Sequence, residues 1–223
     1  ATGFNGIYDM QEMTTNICKT AQKGLIGSLE DTRDSNVYTV AKLDDDNCWM
    51  TKNLSLALWD EENDTPITLT PEDSNVKEDW VSTSGKSERW KNGNCTAGNT
   101  DANGCDVVRY YNGDQTAKWQ LAYGYYYTWG AATAGQAAEI SSGNATQDVC
   151  PKGWELPSNS QYALFLRSIS ADDTSELTVS PYNYVLSGMV HSGGDTSSIG
   201  DDGEYWSRST INQFGAGALD FNT

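Results

Sequence analysis

Apolar and polar residues alternate along this chain in short runs. From Val37 to Leu43 the period is two, which predicts a β-strand. Apolar residues recur at helical spacing between residues 161 and 169, directly after Ser158, a residue type that favours the N-cap position, so this stretch predicts a helix. After residue 176 short apolar runs alternate with glycine-rich turns, which predicts further strands. The pattern indicates a mixed α+β chain with short helices and long loops.

A polar stretch at about residues 59–104 interrupts this pattern. It is rich in Asp, Glu, Asn, Ser and Gly, which predicts an insertion on the surface of the domain. Trp80 and Trp90 lie within it, and such large rings indicate that the insertion packs against the rest of the chain. We therefore expect an N-terminal extension over residues 1–30 and one domain over residues 31–223.

Composition and charge narrow the compartment and the partners. The chain has 223 residues, of which 37% are hydrophobic, and 31 acidic residues against 14 basic ones give a net charge of −17. Nucleic acids and anionic membranes select basic surfaces, so this balance argues against both as partners. No segment approaches the roughly 20 apolar residues that span a bilayer. The opening Ala1-Thr2-Gly3 is expected of a mature secreted protein, although a trimmed sequence would begin in the same way.

The cysteines favour disulfides over a metal site. None of the 5 cysteines lies in a CxxC pair and the chain has 1 histidine, so a thiolate–imidazole zinc site is not expected. Cys95 and Cys105 flank a polar loop that a bridge would close, and a bridge from Cys18 to Cys48 would tie the N-terminal segment to the following strand. Cys150 is left without a partner, which requires an explanation in a secreted chain.

Five sequence blocks carry a resemblance to a known family. They are Asp31–Val40, with the pattern D-x-R-D-x-x-x-Y-x-V, a first Trp box at Cys48–Leu54, the Tyr-Thr-Trp block at Tyr127–Ala132, a second Trp box at Cys150–Pro157, and a third Trp box at Tyr205–Ser207. In this order they resemble the Fibrobacter succinogenes major paralogous domain, and its Gly-Trp-x-Leu-Pro element resembles the C-type lectin-like fold. The resemblance implies a disulfide-stabilised α+β domain with a twisted antiparallel sheet, secreted or displayed on bacterial cells.

The C-terminus departs from the family pattern. Family members continue past the third Trp box and finish in a strand that carries a cysteine, whereas this chain stops at Asp220-Phe221-Asn222-Thr223. The resemblance implies that the partner of Cys150 lies in that strand. The hypothesis follows that the fold is completed by a strand outside the 223 residues, supplied by a cleaved fragment, a neighbouring subunit or an adjacent segment.

The tryptophans divide into two expected groups. Those in the motif blocks are expected to be structural: Trp49, Trp129, Trp154 and Trp206. Those in or beside the polar insertion are freer to face a ligand, Trp80 and Trp90 in particular.

Candidate chemistry is sparse, and we expect no enzyme. His191 is the only histidine and lies in a glycine-rich segment that resembles a loop more than a catalytic turn. Calcium is the candidate cofactor, because one loop places oxygen-bearing side chains at alternate positions, although a disulfide-closed turn explains the same pattern. The candidate calcium ligands are Asn99, Asp101, Asn103 and Asp106. A second acidic group is a candidate ligand-facing surface, with solvated loop charge as the alternative; it comprises Asp195, Asp201, Asp202 and Glu204.

The expected function is binding or adhesion outside the cell. The partner would be an extracellular protein or glycan, or copies of the chain itself. Two alternatives stay open at this point. One is a structural subunit of an extracellular filament or coat, and the other is the variable ligand-binding protein of a diversity-generating retroelement, a system that uses the same lectin-like fold.

Overall fold

Short antiparallel strand pairs organise the computed structural model of this chain. The structure describes residues 1–60, 63, 65–82, 108–109, 124–136, 143–169, 174–190, 196–212 and 215–222. Its helices are α1 (Thr15–Thr20), α2 (Trp129–Ala132) and α3 (Asn159–Ser168), with 3₁₀ turns at Met10–Glu12 and Thr174–Thr178. Its strands are β1 (Ile26–Glu30), β2 (Val37–Lys42), β3 (Cys48–Met50), β4 (Trp59–Asp60), β5 (Thr65–Pro66), β6 (Thr68–Leu69), β7 (Trp80–Val81), β8 (Val108–Arg109), β9 (Tyr126–Tyr127), β10 (Gly143–Asn144), β11 (Met189–Val190), β12 (Thr196–Ser197), β13 (Asp202–Asn212) and β14 (Gly215–Asn222). The prediction of a mixed chain with antiparallel sheets and few helices is confirmed.

The N-terminal sheet has the order β1-β2-β3. Alternation over residues 37–43 gives β2, in which Tyr38 and Val40 are fully buried. Residues 1–30 contribute β1 to this sheet, and Phe4 and Met10 pack in the same core cluster as Tyr38. The expected boundary at residue 31 therefore falls inside the β1–β2 hairpin.

The disulfide between Cys18 and Cys48 joins α1 to the first residue of β3, with 5.8 Å between the Cα atoms. This pairing confirms one of the two predicted bridges. Cys95 and Cys105 lie outside the described residues, so their pairing stays a prediction. Within the described part of the chain Cys150 is a free cysteine.

The helix predicted after Ser158 is α3. The Ser158 hydroxyl accepts from the Gln161 N–H at 3.2 Å, and the Gln161 side chain accepts from the Ser158 N–H at 2.7 Å, which is a capping box. The buried face of α3 carries Phe165, whose ring lies 4.9 Å from that of Trp49 between centroids. The helix therefore packs onto the N-terminal sheet through the first Trp box.

The C-terminal sheet has the order β10-β13-β14. Strand β14 pairs with β13 from Asp202 opposite Asn222 to Trp206 opposite Ala218, so the third Trp box has a partner strand inside the chain. On its other side β13 pairs with β10 at Ser209 and Thr210. A strand therefore does follow the third Trp box within the 223 residues, and completion of the fold by a further strand stays a prediction.

The buried side chains form three clusters. One surrounds Trp49 and Phe165, a second surrounds Tyr38 and Met10, and a third surrounds Leu56. In the described part of the chain, no helix is long and apolar enough to cross a membrane.

Candidate ligand-binding cleft

The three Trp boxes meet around one cleft of about 290 Å³. The first and second Trp boxes are about a hundred residues apart in sequence, and the third Trp box follows about fifty residues later. Only the tertiary fold therefore brings the three together. Further walls come from Tyr125–Tyr127 and from the segments around Tyr184 and Gly188. Aromatic and aliphatic side chains supply most of the lining, and the cleft is partly open to solvent. A partly open apolar cleft at this position is therefore a place where an occupant gains much contact.

Aromatic rings line the cleft while their polar atoms bond to the protein backbone. The Trp154 indole N–H donates to the Met10 carbonyl at 2.9 Å, and that of Trp206 donates to the Tyr127 carbonyl at 2.7 Å. The Tyr126 hydroxyl donates to the Ser187 carbonyl at 2.7 Å. These bonds fix the orientation of the rings, so the walls are preorganised and present ring carbon to the cleft.

The loop of the second Trp box is held by a buried carboxylate that sequence analysis missed. Asp148 is 1% exposed and accepts from the Cys150 N–H at 3.0 Å, the Leu156 N–H at 2.9 Å and the Asn75 side chain at 2.9 Å. Burial raises the pKa of Asp148, while these donors act to lower it. No motif distinguishes this aspartate from other polar residues in the sequence.

The Asp31-x-Arg33 motif also has a structural role here. Arg33 Nη2 lies 2.6 Å from Asp31 Oδ2, and both side chains are almost fully buried. Arg33 Nη1 then donates to the Val149 carbonyl at 2.8 Å, which ties the N-terminal sheet to the second Trp box. Burial acts to lower the pKa of Arg33, but the hydrogen bond and charge of Asp31 outweigh it and the pKa is raised.

Cys150 contributes an unbonded thiol to the cleft. Burial raises the pKa of this thiol well above its usual value, and the neighbouring Asp148 carboxylate raises it further. The thiolate is the reactive form of cysteine, so at neutral pH this group is a weak nucleophile.

One polar atom in the wall lacks a partner. Thr51 is 7% exposed and lines the cleft, and its hydroxyl has no hydrogen-bond partner among the described residues. A buried hydroxyl without a partner costs free energy, so a ligand that reached it would remove this cost. Lys52 and Glu204 are charged residues of the same lining.

The cleft also contains the outer edge of a sheet. The Thr51 N–H donates to the Thr39 carbonyl at 2.8 Å, and Trp49 lies opposite Ala41, so the odd-numbered residues of this segment bond to β2. The backbone N–H and C=O groups of Cys48 and Met50 therefore point away from β2. Within the described part of the chain these groups have no partner. Both residues line the cleft.

The predicted ligand-facing residues are placed differently from one another. Glu204 lines the cleft, whereas Asp201 is exposed on the turn before β13 and Asp202 is the first residue of β13; neither belongs to the lining. Trp80 is half-buried against the cluster around Leu56 and does not belong to the lining. Trp90, Asp195 and the candidate calcium ligands, Asn99, Asp101, Asn103 and Asp106, lie outside the described residues. Among the described side chains no group of three or more His, Cys, Asp or Glu residues is arranged to hold a metal ion.

Trp206 is both a structural residue and a residue that faces the cleft, two roles that the sequence analysis assigned to different tryptophans. Its indole N–H bonds within the protein, yet its side chain is 39% exposed and lines the cleft. Tyr184 lines it too, although it lies in none of the motif blocks, and Thr51 lines it from within the first Trp box.

No family model, curated protein or solved structure matches this chain. The resemblance to the paralogous-domain family and to the lectin-like fold therefore stays a prediction.

Proposed function

We propose that this chain is a secreted or cell-surface domain that binds an extracellular ligand, a protein or a glycan, in the aromatic cleft. The observation that supports this most is the convergence of the three Trp boxes on one cleft with fixed walls. Apolar clefts with a few convergent polar groups are the usual form of a binding site. The Cys18–Cys48 disulfide is compatible with an extracellular location, and the resemblance to surface domains agrees with it.

Binding without catalysis fits the chemistry of the cleft. Cys150 is the obvious nucleophile in the lining, and burial keeps it in the thiol form at neutral pH. Arg208 Nη1 lies 2.9 Å from Glu155 Oε2, so that carboxylate of the lining is paired with a cation. The groups of the cleft therefore suit recognition better than bond cleavage.

A substitution in the cleft tests this function against a matched control on the same strand. Wild-type protein is expected to bind at least one class in a panel of immobilised glycans and extracellular-matrix proteins. Trp206→Ala removes an exposed ring of the cleft and is expected to weaken that binding about tenfold or more. Ile211→Ala, also on β13 but 68% exposed and outside the lining, is expected to leave it unchanged. Binding to no class, or equal binding by both variants, would contradict the proposal.

A structural subunit of a filament is the second candidate function. Among the described strands, β3 pairs only with β2 and β14 pairs only with β13, so the described part of the chain includes unlike sheet edges. Edge-to-edge pairing between unlike surfaces produces open filaments and not closed dimers. Ordered polymers in electron micrographs of concentrated protein would favour this candidate, and a monomer at all concentrations would exclude it.

A further inference from the structure

We infer that the ligand of the cleft is a polypeptide, an extended segment of a separate partner chain that pairs as a strand with the outer edge of β3. This inference rests on the proposed function, because it takes the cleft as the binding site. It specifies the ligand class and the atoms that recognise it.

The backbone of β3 supplies the recognition. Cys48 and Met50 line the cleft, and each directs an N–H and a C=O away from β2; in the described residues none of these groups has a partner. They repeat every second residue, a spacing of about 6.6 Å that a second strand reproduces and a sugar ring does not. The disulfide at Cys48 holds the start of this edge in place.

The walls of the cleft suit the side chains of such a strand. Successive side chains of a strand point to opposite faces, so alternate apolar residues of the partner would pack against the rings of Trp154 and Trp206. The lining includes every residue from Cys48 to Leu54, and Cys48–Met50 of this run form β3. Thr51 follows β3 directly in this run, and its buried hydroxyl has no partner among the described residues.

Charge favours a separate partner over a second copy of this chain. Each copy carries a net charge of −17, so two copies repel, whereas a basic segment is attracted and a neutral one is not repelled.

Backbone methylation of a peptide tests the pairing directly. The probe is a short capped peptide that alternates threonine and valine, with a lysine at each end. It is prepared unmodified, with methyl groups on every valine nitrogen, and with methyl groups on every threonine nitrogen. Because N–H groups of one residue type all point to the same side of a strand, only one modified form loses the groups that face β3. Tryptophan fluorescence is measured as each peptide is titrated into the full chain.

Strand pairing predicts an unequal result. One methylated peptide is expected to bind about as well as the parent, and the other about tenfold or more weakly, since several backbone bonds are lost. Equal binding of both methylated forms would show that the cleft only takes up apolar side chains, and this would overturn the inference. Failure of the parent peptide to bind would overturn it as well.

A change in β3 provides the reciprocal test. Met50→Pro removes the N–H that points away from β2, and it leaves the bonds to β2 intact because those run through Trp49 and Thr51. The expected result is a loss of parent-peptide affinity of about tenfold. Met50→Leu alters the side chain but keeps the N–H, so it should still distinguish the two methylated peptides. A Met50→Pro protein that folds and binds the parent peptide as wild type does would contradict the inference, and if it fails to fold, the peptide comparison decides alone.

Two further outcomes distinguish failure of the strand-pairing inference from failure of the proposed function, and a separate partner from a second copy of the chain. If Trp206→Ala abolishes binding of a panel ligand while no peptide binds, the inference fails and the proposed function stands. If alkylation of Cys150 in the free chain slows as protein concentration rises, with oligomers in sedimentation, the occupant is a second copy and the separate partner is refuted.

Discussion

Separating the buried charges of Asp31 and Arg33 is expected to destabilise the fold strongly. Their side chains are 0% and 4% exposed, and their closest atoms lie 2.6 Å apart. Asp31→Asn leaves the guanidinium without its counter-ion. Arg33→Met leaves the carboxylate with neutral donors, the Gln11 side chain at 2.7 Å and the backbone N–H of residue 33 at 3.1 Å. Each substitution is expected to lower the free energy of unfolding by about 3–5 kcal/mol, because an unpaired charge then stays in the interior.

A double-mutant cycle isolates the pair from its other contacts. The double variant Asp31→Asn/Arg33→Met is expected to be more stable than the sum of the single losses predicts, with a coupling of about 2 kcal/mol or more. The control is Lys23→Met, which breaks an ion pair to Asp46 whose side chains are 52% and 70% exposed and whose closest atoms are 3.3 Å apart. That change is expected to cost less than about 1 kcal/mol, because solvent screens an exposed pair.

Urea unfolding followed by tryptophan fluorescence measures these quantities, with the disulfide intact and with salt varied. The losses at Asp31 and Arg33 are expected to change little with salt, since buried pairs are weakly screened. Two results would refute the view that Asp31 and Arg33 form a buried structural link. One is a loss of unfolding free energy as small as that of Lys23→Met, and the other is a double variant whose loss equals the sum of the two single losses.

Three further changes have defined outcomes. Replacing Cys18 and Cys48 by alanine opens a loop with a sequence separation of 30 and is expected to cost about 3–4 kcal/mol in urea unfolding; an unchanged midpoint would contradict this. Gly153→Ala places a Cβ 2.2 Å from a backbone carbonyl oxygen. Its cost is expected to be well over that of Gly200→Ala, where φ is also positive but no atom lies within 4 Å, so that only backbone strain of roughly 1 kcal/mol is expected. Thermal melts of the two variants compare these costs. The raised pKa of Cys150 means that, as the pH rises above about 8.5, the unfolded chain loses the thiol proton before the folded chain does. Stability should therefore fall by up to about 1.4 kcal/mol for each pH unit more steeply than in Cys150→Ala, and parallel pH profiles would contradict this.

Local signals predicted the elements whose causes are local. Strand β2 follows from alternation at Val37–Leu43, and α3 follows from the capping residue Ser158 and the helical spacing after it. The Cys18–Cys48 bridge was predicted because it ties a weakly patterned N-terminal segment to a strand, and the structure contains it.

The parts that sequence analysis missed depend on contacts distant in sequence. In the sequence Asp148 has the same local pattern as other loop aspartates, and only the fold brings two backbone N–H donors to its carboxylate. Strands were predicted after residue 176, but the small residues of β14 give a weak apolar pattern, so neither its bounds nor its pairing with β13 was predicted. Packing accounts for one of these small residues, Gly217, because a Cβ there would lie 2.2 Å from the Asn159 side chain at the start of α3. Such a requirement is set by packing and has no local sequence signal.

The chemistry of the cleft follows from how the motif residues use their polar atoms. Trp154 and Trp206 donate their indole N–H groups to backbone carbonyls of the protein, so neither has a donor left for a ligand. Their rings therefore supply contact area without sequence or sugar selectivity. Selectivity must come from the groups of the wall that are still unpaired in the described structure, the edge of β3 at Met50 and the hydroxyl of Thr51. Both belong to the run from Cys48 to Leu54 that lines the cleft, and the outward backbone groups of Cys48 and Met50 in this run suit a ligand that pairs as a strand. This geometry is why a strand suits the cleft better than a compact ligand.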